Sequence, residues 1–138
     1  MIDFEPPLVG CIISENNFSF RLIEKSKECV LNIPTVELAQ TVVEVGNTSG
    51  ATVNKFEKFH LTQEKGAEVQ APLIKECYAS LECKVIDASM AKKYNLFVVE
   101  VVKAWIRPTK KRARTIHHCG KGNFVVDGEL ITLPSGKK

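Results

Sequence analysis

Apolar and polar positions follow two rhythms along this chain, a mixed helical and strand rhythm early and a strict alternation late. After an acidic leader that ends at Pro6-Pro7, Leu8 to Ile13 is a nearly unbroken apolar run, the pattern of a strand covered on both faces. Ser14-Glu15-Asn16-Asn17 then supplies turn and cap residues. Phe18, Leu22 and Ile23 recur at helical spacing, with Arg21, Glu24 and Lys25 on the other side, so a helix is expected there. Glu28 to Ile33 reads as a second buried strand, stopped by Pro34. Thr35 can cap the next helix, whose apolar stripe is Leu38, Ala39, Val42 and Val43 and whose stop is Gly46. Asn47-Thr48-Ser49-Gly50 is a tight polar turn. A short helix over roughly Val53 to Phe59 follows, turning Phe56 and Phe59 inward, and residues 62–70 read as loop.

From Cys77 the period becomes two. Cys77, Ala79, Leu81, Cys83 and Val85 share one face, and Tyr78, Ser80, Glu82 and Lys84 share the other, which predicts a half-exposed antiparallel strand. Tyr94 to Ile106 is a second long strand carrying the only tryptophan, Trp105, and Arg107-Pro108 ends it. Asn123 to Val126 and Glu129 to Leu133 are expected to form a hairpin about Asp127-Gly128, a strong turn dipeptide. Helices come early and long alternating strands late, so the fold class is mainly β (α+β), not a doubly wound parallel sheet.

The length of 138 residues makes one domain, 1–138, and allows a real core without staples. Hydrophobic residues at 44% and charged residues at 25% exclude a disordered or fibrous chain. No apolar run approaches the roughly 20 residues of a membrane helix, and no membrane partner is expected. Met1 to Pro7 has neither the basic nor the apolar region of a signal peptide. Five cysteines, an odd number with no Cys-x-x-Cys pair, point to reduced thiols and a cytoplasmic setting. Cys11 and Cys29 lie in apolar runs, where a thiol acts as a small hydrophobe. The net charge of +3 is no nucleic-acid footprint spread over a domain.

Four segments carry candidate chemistry. In Asn47 to Phe56, small flexible residues lead into a helix start, a geometry that offers backbone N–H groups to a phosphate. Ser49 and Thr52 add hydroxyls there and Lys55 adds a charge, although Gly-Lys-Ser/Thr is absent and, from composition alone, an ordinary interhelical turn with an N-cap is the better explanation. Ser14 to Ser19, where a strand meets a helix, is a second such turn, with simple capping by Asn17 or Ser19 as its plain alternative. Thr115 to Gly120 holds His117, His118 and Cys119, but neighbours on an extended segment face opposite ways and no second ligand pair exists, so no metal site is expected. Arg107 to Arg114 is a basic stretch without interleaved aromatics, which fits a solvated loop better than a nucleic-acid contact. No Ser/His/Asp order or paired-carboxylate motif stands out, so an enzyme here would have to borrow its chemistry from a cofactor.

Together these segments resemble the flavin reductase family. The stretches that carry the resemblance are Asp3 to Gly10, Glu28 to Thr35, Gly46-Asn47-Thr48-Ser49-Gly50 with Lys55-Phe56, Ala71 to Cys77, Glu100 to Trp105 and Arg114 to His118, in the family's order over almost the whole chain. The resemblance implies an FMN-binding split β-barrel of antiparallel strands with two or three short helices. It implies a homodimer that passes a hydride or electrons between NAD(P)H and flavin or another acceptor. It also implies that Asn17, Ser19, Ser49, Gly50 and Lys55 hold the FMN phosphate, with no residue assigned a catalytic role. His117 and His118 receive no role from it.

Two departures follow. The family often has Arg at the position of Asn16 and His at that of Phe18. Its members usually have strands upstream of the point where Met1 falls, so the expectation is an N-terminally short domain with an incomplete ring pocket and weak FMN binding. A non-catalytic FMN binder or electron carrier, and a domain that no longer binds flavin, stand beside the oxidoreductase as alternatives.

Overall fold

A computed structural model describes residues 1–109 and 112–129. In chain order its elements are β1 (Asp3–Phe4), β2 (Pro7–Ile12), α1 (Phe18–Ser26), β3 (Glu28–Ile33), a 3-10 turn (Val36–Leu38) running into α2 (Ala39–Gly46), α3 (Lys55–Lys58), β4 (Gln63–Glu64), β5 (Leu73–Ile74), β6 (Ala79–Asp87), α4 (Ala91–Tyr94), β7 (Leu96–Ile106), β8 (Ile116–Gly120) and β9 (Asn123–Val126). Five strands form an antiparallel sheet in the order β1-β2-β7-β6-β3. The mainly β expectation is met, with four helices among the described residues where two or three were expected.

One face of the sheet carries the core. Phe20 and Ile23 of α1 pack on Cys83, Phe97, Val99 and Ala91, and the Phe20 and Phe97 rings meet edge-on at 5.1 Å. The face expected for α1 needs correction here. Its buried residues are Phe20 and Ile23, whereas Phe18 is 37% and Leu22 51% exposed. Phe20 and Ile23 lie three apart and point at the sheet, while Phe18 and Leu22, four apart, form the neighbouring stripe. The helix ends at Lys27, in the left-handed region, whose N–H donates to the Ile23 carbonyl (2.9 Å).

The first strand also differs from its reading. Val9 and Cys11 pack against the core, but Ile12 is 71% exposed, so β2 is covered on one face only. It lies one place from the sheet edge, beside a two-residue strand. The later strand starts at Leu96 rather than Tyr94, because Tyr94 closes the helical turn α4 and Asn95 turns left-handed after it. Thr35 caps nothing with its side chain; its backbone bridges to Thr115.

The largest correction concerns the polar face of β6. Ser80 and Glu82 are completely buried, because the segment between α3 and β6 folds over that face. The acceptors on it form a rack for this segment's backbone. Glu82 Oε1 accepts from Ala67 N (3.0 Å) and Trp105 Nε1 (2.6 Å), and Oε2 from Glu68 N (2.7 Å) and Val69 N (2.9 Å). Glu28 accepts from Gln70 N (2.7 Å), and Asn32 Oδ1 accepts from Ile74 N (3.1 Å) and the Ser80 hydroxyl (2.7 Å). A Cβ on Gly66 would lie 2.5 Å from Glu82 Oε2, so glycine is required at that close approach. Burial by itself raises the Glu82 carboxyl pKa, but the hydrogen bonds from Ala67, Trp105, Glu68 and Val69 outweigh it and hold the group at about 2.

The segment read as loop at 62–70 thus contains β4, paired with β5. A hairpin joins β8 to β9, where the sequence reading placed none. Lys121 and Gly122 both take positive φ (52° and 77°), the requirement of a two-residue hairpin turn. Of the strand expected at Glu129 to Leu133, residues 130–133 lie outside the described residues.

Candidate functional site

Between the start of α1 and the turn joining α2 to α3 lies an open cleft of about 770 Å³. Asn17, Ser19, Ser49, Gly50 and Lys55, the five residues singled out from the sequence, all line it. Two separate turns reach one place because α1 packs on the sheet through Phe20 and Ile23, which leaves its first turn facing the end of α2.

Each turn is built from local bonds. Asn17 holds the N-cap position of α1 in an extended conformation, and its side chain makes no capping bond. Its backbone closes the turn instead: Asn17 N donates to Ser14 O (2.9 Å), and Phe20 N to Asn17 O (3.1 Å). On the opposite side Ser49 Oγ accepts from Ala51 N (3.3 Å) and Ser49 O accepts from Thr52 N (3.4 Å). Asn54 caps α3 by accepting from Phe56 N (3.2 Å). Gly50 sits against Phe18, whose ring would be 3.4 Å from an added Cβ.

Lys55 is half-buried and its Nζ donates to the Val45 carbonyl at the end of α2 (2.8 Å). That bond anchors the ammonium within the cleft and uses one of its three donors. Among the described residues that line the cleft, none is acidic. A cation, hydroxyls and a helix N-terminus with no side-chain cap face a common space, an arrangement suited to an anion.

The sequence reading missed the apolar wall. Phe18, Leu22, Val45, Val53 and Phe56 also line the cleft. The four-residue spacing of Phe18 and Leu22 was visible, but such a stripe is ordinarily spent on the core. Here it faces the cleft, so the site joins an anion seat to an apolar surface.

His117 and His118 lie elsewhere. His118 stacks near Phe124, with ring centroids 4.9 Å apart, and lines a second cavity of about 510 Å³ with Val42, Val43 and Lys121. Gly46 and Asn47 line both cavities, so the two adjoin. Among the described residues no group of three His, Cys, Asp or Glu is placed to hold a metal. Within the basic stretch Arg107 pairs with Glu64 and donates to the Cys77 carbonyl (3.2 Å). Arg112 pairs with Asp127 (3.1 Å). Among the described residues no helix is long and apolar enough to cross a membrane.

Comparison with known proteins gives a consistent result. A family model described as "Flavin reductase like domain" matches residues 1–123. An uncharacterised protein of Archaeoglobus fulgidus is 39% identical over 101 residues, which are 73% of this chain and 57% of that protein, so this chain spans little more than half of that relative. Among solved structures, an FMN-binding domain of a flavin reductases-like enzyme from Shewanella baltica OS155 is 27% identical with a TM-score of 0.87, covering 96% of this chain and 77% of that one. A putative flavin reductase with a split barrel domain from Shewanella frigidimarina is 19% identical with a TM-score of 0.79 over 98% of this chain and 74% of that one, a likeness of fold alone. The fold is the split β-barrel expected from the sequence.

Proposed function

The chain belongs to the flavin reductase like domain family, and on that premise we propose that it binds FMN in the cleft between α1 and the α2–α3 turn. The observation that carries this reading is the convergence of Asn17, Ser19, Ser49, Gly50 and Lys55 on one cleft beside an apolar wall. A phosphate monoester joined to a large aromatic ring system needs both halves of such a site. The phosphate goes to Lys55, to the Ser19 and Ser49 hydroxyls and to the first amides of α1. Phe18, Leu22, Val45, Val53 and Phe56 shield the less polar part of the molecule from water. The cleft volume falls within the range of small-molecule sites, roughly 300–1,000 Å³.

Bound FMN would supply the hydride and electron chemistry, and the chain's own residues would bind and orient it. The reaction we propose is transfer between NAD(P)H and flavin or another acceptor, in a homodimer. Large exposed apolar residues such as Phe4, Ile12 and Ile106 support association. The experiment is a titration of the protein with FMN, followed by visible absorbance and flavin fluorescence, and then addition of NADH or NADPH. A shifted flavin band and flavin-dependent loss of NAD(P)H absorbance are expected. A flavin band without NAD(P)H turnover would reduce the function to flavin carriage, and an unperturbed flavin spectrum would remove the cofactor.

A further inference from the structure

All five cysteines are free thiols, and the proposed flavin site uses none of them. Cys29 on β3 and Cys83 on β6 are direct partners in the antiparallel register, and both pack in the core cluster. The kind of pairing follows from a neighbour: Val85 N donates to Lys27 O (2.8 Å), so Lys27 and Val85 form a hydrogen-bonded pair. Two residues along, Cys29 and Cys83 form the next one. Residues opposed in this way have α-carbons about 5.5 Å apart, inside the roughly 4.4–6.8 Å that disulfides span. The Cβ atoms of such a pair stand about 5.5 Å apart, against roughly 3.5–4.5 Å in a disulfide. Joining the two sulfurs therefore also draws the edge strand β3 about 1 Å toward β6 and gives a strained, readily reduced bond.

Their surroundings differ. Cys83 is fully buried, while Cys29 is half-buried on the edge strand. Contact with the Cys83 thiol, which also donates to the Leu81 carbonyl (3.4 Å), lowers the Cys29 thiol pKa, although burial and the nearby Glu28 act to raise it. The same contact, burial and the Cys29 and Cys11 thiols push Cys83 up. Thiolate is the reactive form, so Cys29 is the first to react.

We infer that Cys29 and Cys83 form an oxidisable dithiol that a hydroperoxide converts to a cross-strand disulfide. In the first step the Cys29 thiolate attacks a peroxide oxygen. The O–O bond breaks and the departing oxygen leaves as water or alcohol with the thiol's proton, giving a sulfenic acid. In the second step the Cys83 sulfur attacks the Cys29 sulfur, an S–S bond forms, the S–O bond breaks, and the hydroxyl leaves as water with the Cys83 proton. Two thiols lose two electrons and the peroxide gains them. The inference is independent of flavin binding.

The test treats the full chain carrying Cys119→Ser, which removes an exposed competing thiol, with hydrogen peroxide before denaturation and thiol titration. Of the five cysteines, four remain in this variant, and the titre is expected to fall from four to two. Cleavage after glutamate separates Cys29 (29–37), Cys77 (77–82) and Cys83 (83–100). Peptides 29–37 and 83–100 are expected as one species that reductant splits. Cys83→Ala should leave a sulfenic acid on Cys29 that a dione reagent captures, and Cys29→Ser should slow loss of the Cys83 thiol by about tenfold or more. An unchanged titre, a link to Cys11 or Cys77, or sulfinic acid on Cys29 without a link would overturn the inference. The peptide map decides it even where a variant fails to fold.

Discussion

Glu82→Gln perturbs the polar rack that holds residues 66–69 on the sheet. The carboxylate accepts four hydrogen bonds, two on each oxygen. Glutamine keeps one oxygen and presents an NH2 group where the other stood, so two donors, buried or part-buried, lose their acceptor whichever way the amide lies. Each unsatisfied buried donor costs about 1–3 kcal/mol, which gives a destabilisation of roughly 2–6 kcal/mol. For a domain stable by about 5–15 kcal/mol, that is a large fraction. The assay is urea unfolding of both proteins between pH 7 and pH 2. The parent's Glu82 titrates at about 2 when folded, against 4.5 ordinarily. A lowered folded pKa gives stability that is fully present above 4.5 and is lost as pH falls toward 2. The parent should therefore lose stability more steeply than the glutamine variant across that window. A variant within about 0.5 kcal/mol of the parent at pH 7, with the same acid slope, would refute the reasoning.

Gly66→Ala forces a Cβ against the same carboxylate and should destabilise by about 1–3 kcal/mol in the same assay. Phe20→Ala, at the core contact with Phe97, should cost about 3–5 kcal/mol of stability by thermal or urea unfolding. Phe18→Ala, from the adjacent exposed stripe, should leave the unfolding midpoint nearly unchanged while weakening flavin binding in a fluorescence titration. Lys55→Ala removes a charge-assisted contact worth about 1.5–3 kcal/mol and should raise the FMN dissociation constant by roughly ten- to a hundredfold; equal constants would take Lys55 out of the site.

Periodicity made the long strands legible. The alternation from Cys77 to Val85 located β6 and identified its core face, because Ala79 and Cys83 do lie on the buried side. It could not say that the opposite face was covered. Ser80 and Glu82 look like solvent positions in any alternating strand, and the segment that buries them does so through backbone N–H groups, which leave no trace in side-chain pattern. The face of α1 was ambiguous because Phe18, Phe20, Leu22 and Ile23 crowd four large apolar residues into six positions, and only packing against Phe97 chooses among them. The β8–β9 hairpin was missed because Lys121-Gly122 is a weaker turn signal than Asp127-Gly128, yet Gly122 supplies the positive φ where β8 pairs with β9. The candidate phosphate residues were legible as two polar turns. That the turns meet in one cleft depends on how α1 docks, a tertiary fact.

The proposed anion seat, the central claim, is tested most directly by titrating the protein with FMN and with riboflavin, which differ only in the phosphate. FMN is expected to bind more tightly by about tenfold or more, and Lys55→Ala to narrow the gap by weakening FMN alone. Equal affinity for the two flavins, or a gap that Lys55→Ala leaves untouched, would contradict the claim.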